Sequence, residues 1–153
     1  MSEVAIRALT PADVERVGAI WLAASLQAHE FVDPAFWRAD HAVMVGEILP
    51  GASGFVATRG DELVGFVTVG VRDGSPSIGC LFVDPPQQGR GVGSALLGHV
   101  QARHDRLRLT VYEQNAGARR FYARHGFLDT ETGRCEHTGC PELVMKWDAP
   151  RAV

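Results

Sequence analysis

Cysteine is scarce in this chain, and positive charge is not in excess. Three cysteines, an odd number, give no paired framework for a disulfide-stapled fold, and they suit reduced thiols in a cytoplasm. A net charge of -3 offers no basic patch for a phosphate backbone, so no nucleic-acid partner is expected. No apolar run approaches the length of a membrane span, which argues against a membrane partner. Met1-Ser2-Glu3-Val4 lacks the basic and apolar regions of a secretory leader. Repeats, linkers and low-complexity tracts are also missing. What is there is an ordinary globular composition, 46% hydrophobic and 22% charged over 153 residues. That length suits one domain with a core of its own, expected over residues 1–149, with a frayed tail over 150–153.

The hydrophobic pattern predicts alternating strands and helices. A strand is expected over 4–9, with Val4, Ile6 and Ala8 inward. Thr10-Pro11 then supplies an N-cap and a first-turn proline, with Asp13 in the capping-box position. The helix that follows spaces Val14, Val17, Ile20, Trp21 and Ala24 along one face. Asp33-Pro34 repeats the start signal for a second helix carrying Trp37, Val43, Met44 and Ile48, which Pro50-Gly51 stops. Strands are predicted over 54–58, 63–71 and 77–83, with Gly60-Asp61 and Asp73-Gly74 as turns. A helix over 91–104 crosses to a strand over 107–111, which must run parallel to 77–83. A short helix over 116–125 ends at Gly126, and strands over 127–132 and 143–147 close the chain. This order contains one βαβ crossover, not the repeated units of a Rossmann domain.

The most telling stretch runs from Leu81-Phe82-Val83 through Pro85 to Gln88-Gly89-Arg90-Gly91-Val92-Gly93-Ser94. It reads as a strand, a sharp turn, a glycine-rich loop and a helix start. Such a loop presents unpaired N–H groups and the positive end of the helix dipole to an anion. Gly89, Gly91 and Gly93 carry no side chain that would bar a bulky anion, and Arg90 adds a positive charge. A Walker-type loop would need a lysine where Ser94 stands. A dinucleotide loop would need a third glycine where Leu96 or Ser94 stands, although Glu113 lies at a tolerable distance for a ribose contact.

The spacing Gln88-x-x-Gly91-x-Gly93, preceded by Leu81-Phe82-Val83-x-Pro85, resembles the pyrophosphate loop of the GCN5-related N-acetyltransferases. A second segment, from Leu109 through Asn115 to Phe121-Tyr122-Ala123-Arg124-His125-Gly126-Phe127, is similar to that family's strand, Asn and closing Phe-Tyr-x-x-x-Gly-Phe motif. The resemblance implies an α/β fold with a mixed, mostly antiparallel seven-stranded sheet and about four flanking helices. One parallel pair would be splayed to admit the pantetheine arm of acetyl-CoA, whose amides would pair with the backbone of Leu81, Phe82 and Val83. Gln88, Gly89, Arg90, Gly91, Val92, Gly93 and Ser94 would hold the pyrophosphate. Asn115 would touch the coenzyme in addition to capping a helix. The implied activity is direct transfer of acetyl to a primary amine in a ternary complex. Tyr122 would act as general acid to the departing thiolate.

The family's carboxylate base has no counterpart, since Thr110 occupies its position. His29 and Glu30 are the alternatives, and an unperturbed imidazole near ~6.5 would suit the task. Trp21, His29-x-Phe31 and Phe36-Trp37 resemble a subgroup of small bacterial acetyltransferases, some acting on lysine, and these rings either wall the acceptor site or pack the helices. Cys135, His137 and Cys140 lack a partnered CxxC pair, so no metal is expected and the segment reads as a loop. Cys80 reads as a small core residue. The acceptor, small molecule or protein, stays open, and a homodimer is only the common default. Two other readings remain: a catalytically weak acyl-CoA-binding module, and a nucleotide-binding protein using the Gly89–Gly93 loop.

Overall fold

The computed structural model describes residues 3–150, so positions 151–153 of the expected tail lie outside the described residues. Strand β1 (Val4–Ala8) leads through Thr10 into a single turn and helix α1 (Val14–Ala28). The Thr10–Asp13 capping box forms, with Thr10 N–H donating to the Asp13 carboxylate at 2.9 Å. Arg7 adds a two-pronged bond to the same carboxylate, 2.8 Å on each prong. Helix α2 (Pro34–Val43) starts where the Asp33 carboxylate accepts the Ala35 N–H at 2.9 Å.

Beyond Val43 the prediction of a regular helix needs correction. Met44–Ile48 form a π turn and Leu49–Gly51 a 3-10 turn. The wider turn rotates the residues around it, so Val43 and Ile48 face out, 37% and 49% exposed, while Met44 and Leu49 stay buried.

Strands β2 (Gly54–Arg59), β3 (Glu62–Arg72) and β4 (Ser75–Val83) form a meander. Helix α3 (Val92–Gln101), strand β5 (Arg106–Tyr112), helix α4 (Ala116–Arg124) and strands β6 (Leu128–Arg134) and β7 (Pro141–Asp148) complete the chain. The sheet has seven strands in the order β1-β2-β3-β4-β5-β7-β6, antiparallel except for β4 and β5. Gly74 and Asp73 turn the β3–β4 hairpin with φ of 77° and 52°, a conformation that Gly and Asp tolerate. Among the described residues no helix is long and apolar enough to cross a membrane.

One core lies on each face of the sheet. Val92, Leu96, Leu97 and Val100 of α3 pack with Leu107, Leu109 and Val111 of β5, and with Phe127 and Met145. On the other face Val17, Ile20 and Trp21 of α1 pack with Trp37 and Met44 and with Val56 and Phe66. Strand alternation assigns each β5 side chain to one of the two layers.

The site is made where β4 and β5 part. Their ladder consists of a single partner pair, Ser77 with Arg108. β3 registers Thr68 with Cys80 and Val69 with Ile78, which leaves Gly79 as an extra residue on β4. A bulge bends its strand, and here the bend carries residues 80–83 away from β5. A Cβ on Gly79 would lie 2.9 Å from Thr68 Oγ1, so a larger residue there would displace the Thr68 hydroxyl. The pivot is clamped by Arg108, whose guanidinium meets the Asp73 carboxylate at 2.8 Å.

Candidate active site

Two cavities meet at the fork. The first, about 670 Å³, lies between the end of β4, the glycine loop and helices α3 and α4. Of the residues expected to bind coenzyme, Leu81, Phe82, Val83, Gln88, Gly89 and Gly91 line it, as do Val92, Gly93, Ser94 and Asn115. Arg90 does not line it and points from an exposed stretch of the loop. Arg124 of α4 and Gln27 of α1 line it instead, which sequence reasoning missed.

The loop is built to keep its N–H groups free. Its start is anchored where Asp84 N–H reaches Val64 O at 2.8 Å and Arg16 grips the Asp84 carboxylate at 2.9 Å. Gln88 turns back and donates to Val83 O at 3.1 Å, bracing the loop against the strand it leaves. Gly89 and Gly91 adopt φ of 79° and 84°, and Gly91 caps α3. A Cβ at either position would meet nothing within 4 Å, so the space beside the backbone is open. Ala95 N–H is the first to find a carbonyl of the turn, that of Gly91 at 3.0 Å. The N–H groups before it have no intrahelical acceptor.

The second cavity, about 310 Å³, faces α1 and α2. Trp21, Phe36 and Trp37 form part of its wall while also packing the helices. Phe31 is not in the wall; it packs edge-on against Tyr112 at 5.4 Å. Thr110 lines the cavity from β5. Five polar groups of this cavity escaped the sequence reading: Ser25, Asp40, Arg72, Tyr112 and Glu142. Asp40 stands three residues after Trp37 on the same helix face, and Tyr112 and Glu142 continue strand alternation one residue past the predicted strand ends. The segment with Cys135 and His137 is the β6–β7 turn, as expected, yet both residues also line this cavity.

Tyr122 lies between the two spaces. Together with Leu81, Phe82, Asn115 and Ala118 it borders both cavities. Its ring is buried against Phe121 and Phe127, with centroids at 5.3 and 5.6 Å. Burial and the neighbouring Cys80 push the phenol above its ordinary range, so it keeps its proton at neutral pH. The Cys80 thiol is itself pushed up to about 11 by burial, which suits an inert core residue and not a nucleophile.

His29 departs from expectation. It is 7% exposed and stacked among Trp37, Tyr112 and Phe31, with centroids 5.0, 5.0 and 5.7 Å away. Burial lowers it from 6.5 to about 4, so the unperturbed imidazole that the sequence suggested is not what the fold creates. Asn115 Oδ1 caps α4 by accepting Ala118 N–H at 3.2 Å, which leaves Asn115 Nδ2 to donate to His29 Nε2 at 3.3 Å. Its lone pair is therefore engaged by Asn115. The atoms Ser25 Oγ, His29 Nδ1 and Trp37 Nε1 are buried without a hydrogen-bond partner among the described residues, and all three residues line the second cavity.

The depressed imidazole makes stability depend on pH. Because the unfolded side chain binds its proton near 6.5 and the folded one near 4, its contribution is complete above 6.5 and is lost as pH falls through 4. Asp13, held at about 2 by its Arg7 hydrogen bonds, acts only further down, between 3.8 and 2. Melting temperature should therefore drop between pH 6.5 and 4, and the drop should be shallower in His29→Asn. Parallel melting curves in the two proteins would contradict this account of His29.

Comparisons with known proteins agree with the geometry. Residues 23–149 match the family described as an acetyltransferase (GNAT) domain. The peptidyl-lysine N-acetyltransferase YiaC of Escherichia coli (strain K12) is 30% identical over 142 residues, 93% of this chain and 95% of that one. The peptidyl-lysine N-acetyltransferase YjaB of Salmonella typhimurium is 33% identical over 132 residues, 86% of this chain and 88% of the relative. The solution structure of apo YjaB from Escherichia coli superposes with a TM-score of 0.81 at 28% identity, covering 95% of this chain and 97% of its own. A PaiA N-acetyltransferase from Thermoplasma acidophilum, crystallised in complex with coenzyme A, shares the fold with a TM-score of 0.81 at 16% identity, over 96% and 99% of the two chains.

Proposed function

The chain belongs to the GNAT acetyltransferase family, and from that premise we propose that it moves acetyl from acetyl-CoA to a primary amine, with lysine side chains of peptides or proteins as the acceptor class. The observation that carries this reading is the pair of cavities that share Tyr122 as a common wall. Two substrates held one on each side meet directly, as a ternary-complex transfer requires. The glycine loop fits a phosphate-bearing group on the evidence of its open backbone at Gly89 and Gly91 and the unpaired N–H groups that follow. Acetyl-CoA supplies a thioester, and the amine nitrogen bonds to its carbonyl carbon as the carbon–sulfur bond breaks.

The side chains do the rest. Backbone groups of Leu81–Val83 that pair with neither β3 nor Gln88 are available to an extended arm. Tyr122 holds a proton at Oη for the departing sulfur. On the acceptor side, the carboxylates of Asp40 and Glu142 outnumber the single guanidinium of Arg72 in a cavity walled by Trp21, Trp37 and Tyr112, a setting that attracts an ammonium by charge and by the ring faces. These carboxylates receive the proton that the amine sheds, a task for which the engaged His29 is poorly placed. The unpaired atoms of Ser25 and Trp37 fit a polar visitor in the same space.

Thiol release from acetyl-CoA in the presence of lysine peptides, polyamines and free amino acids tests the reading. The lysine peptides should be preferred; turnover confined to another amine would move the acceptor class, and no turnover with tight acetyl-CoA binding would leave a binding module. Asp40→Asn and Glu142→Gln should each raise KM for the peptide about tenfold, as expected for loss of a charge-assisted contact. Coenzyme affinity should stay constant in both variants. An unchanged KM in both would remove the carboxylates from the acceptor site.

A further inference from the structure

The cofactor side contains a titratable group that the transfer itself does not use. Ser94 lies in the first turn of α3 and lines the coenzyme cavity. Its hydroxyl is 3.1 Å from Nε2 of His125, the residue that ends α4. His125 is held from both helices. Its N–H donates to Tyr122 O at 3.0 Å, Gln101 of α3 donates to its carbonyl at 3.0 Å, and its ring sits 4.7 Å from that of Phe121. Gly126 follows with φ of 91°, so the chain turns away at once and the imidazole stays against α3.

The chemistry of this pair depends on a single proton. A hydroxyl has one hydrogen to donate. When His125 Nε2 is unprotonated, the Ser94 hydrogen is spent on the ring and cannot point at an anion in the cavity. When Nε2 carries a proton, in the neutral Nε2–H tautomer or in the imidazolium, the ring donates to Ser94 Oγ and the Ser94 hydrogen is released toward the loop. An anion beside the loop favours a protonated Nε2 through the added hydrogen bond, and by its charge it favours the imidazolium over the neutral tautomer.

We infer that His125 is a positioning residue of the diphosphate site, taking up a proton as the diphosphate of the acyl-CoA binds and thereby turning the Ser94 hydroxyl toward it. The inference rests on reading the glycine loop as the diphosphate site. Several groups face the ring. From α3 it is the uncharged Ser94, with Gln101 held at the His125 carbonyl, and from α4 they are Phe121 and Arg124. Burial first and the Arg124 charge second hold the imidazole below its ordinary range in the free protein, so there is room for it to rise. Arg124 also lines the cavity, and a bound diphosphate that neutralises it removes part of what keeps His125 uncharged.

The sign of the linkage follows. A group whose pKa rises on binding gives full affinity below its free-state value, and the extra affinity is lost as pH rises through the bound-state value. The experiment titrates the protein with dephospho-coenzyme A, which lacks the 3′-phosphate that would itself take up protons near neutrality. Calorimetry in two buffers of different ionisation enthalpy gives the proton count, and the His125 Cε1–H resonance gives its titration with and without ligand. The wild type should take up a fraction of a proton near neutral pH, with the His125 midpoint moving up on binding. Its affinity should be about fivefold weaker at alkaline than at acidic pH, the difference between a neutral and a charge-assisted bond.

His125→Gln, which retains a donor for Ser94 without a titrating ring, should bind with no proton uptake and a flat pH profile. Tight binding with an unmoved His125 midpoint and equal proton counts in both proteins would overturn the inference alone. Absence of dephospho-coenzyme A binding in folded wild type would overturn the diphosphate reading and the inference with it.

Discussion

Tyr122→Phe should lower kcat by about a hundredfold to a thousandfold while leaving coenzyme A affinity within about twofold. The substitution removes little. It deletes one oxygen from a ring that stays packed between Phe121 and Phe127, so the aromatic cluster and helix α4 keep their contacts. Tyr122 borders both cavities, and burial keeps its phenol protonated across the working range. As the proposed general acid, it contributes mainly when the sulfur departs, and little when the coenzyme binds. Steady-state thiol release together with direct coenzyme binding separates the two effects. Near-normal turnover in the variant would demote Tyr122 to a packing residue, and an equal loss in kcat and affinity would make it a binding one.

Gly91→Val should weaken coenzyme A binding by about five- to thirtyfold, the equivalent of ~1–2 kcal/mol of left-handed strain. Gly91 caps α3 with φ of 84°, a conformation that β-branched residues resist. A Cβ there would meet nothing within 4 Å, so the cost comes from the backbone and not from crowding. Relief of that strain rotates the peptide and re-aims the N–H groups that open α3. Gly91→Asn is the control, because Asn accepts the left-handed region and should retain most of the affinity. Calorimetry with coenzyme A compares the three proteins. Equal affinity in wild type and Gly91→Val would mean that these N–H groups do not hold the ligand.

Much of this molecule is legible along the chain because the signals are local. Asp33-Pro34 starts α2, Asp73-Gly74 turns a hairpin, and Gly126 ends α4, each through the backbone preference of the residue itself. The glycine loop is readable for the same reason, and of the eleven residues of this chain expected to bind coenzyme ten line one cavity. Arg90 fails the pattern since charge alone does not say where a loop side chain points. The π turn after Val43 was invisible because the apolar residues there fit a regular helix equally well. Asp40 and Glu142 looked like ordinary surface carboxylates until α2 and β7 brought them to the same cavity. His29 had no sign in the sequence that it would be buried beneath three rings and forced toward 4.

By itself, then, the sequence determined the order of elements, the turns, the glycine-rich loop and the presence of a tyrosine beside it. All of these follow from the conformational preferences of residues and of their near neighbours. Tertiary structure alone decided the fork between β4 and β5, which arises when Gly79 slips out of register with Thr68, a residue of the preceding strand. It also decided which residues wall the second cavity and the proton affinities of His29, Tyr122 and His125. Burial and pairing depend on residues far apart in the chain, and desolvation acts on a side chain only after the fold has closed over it.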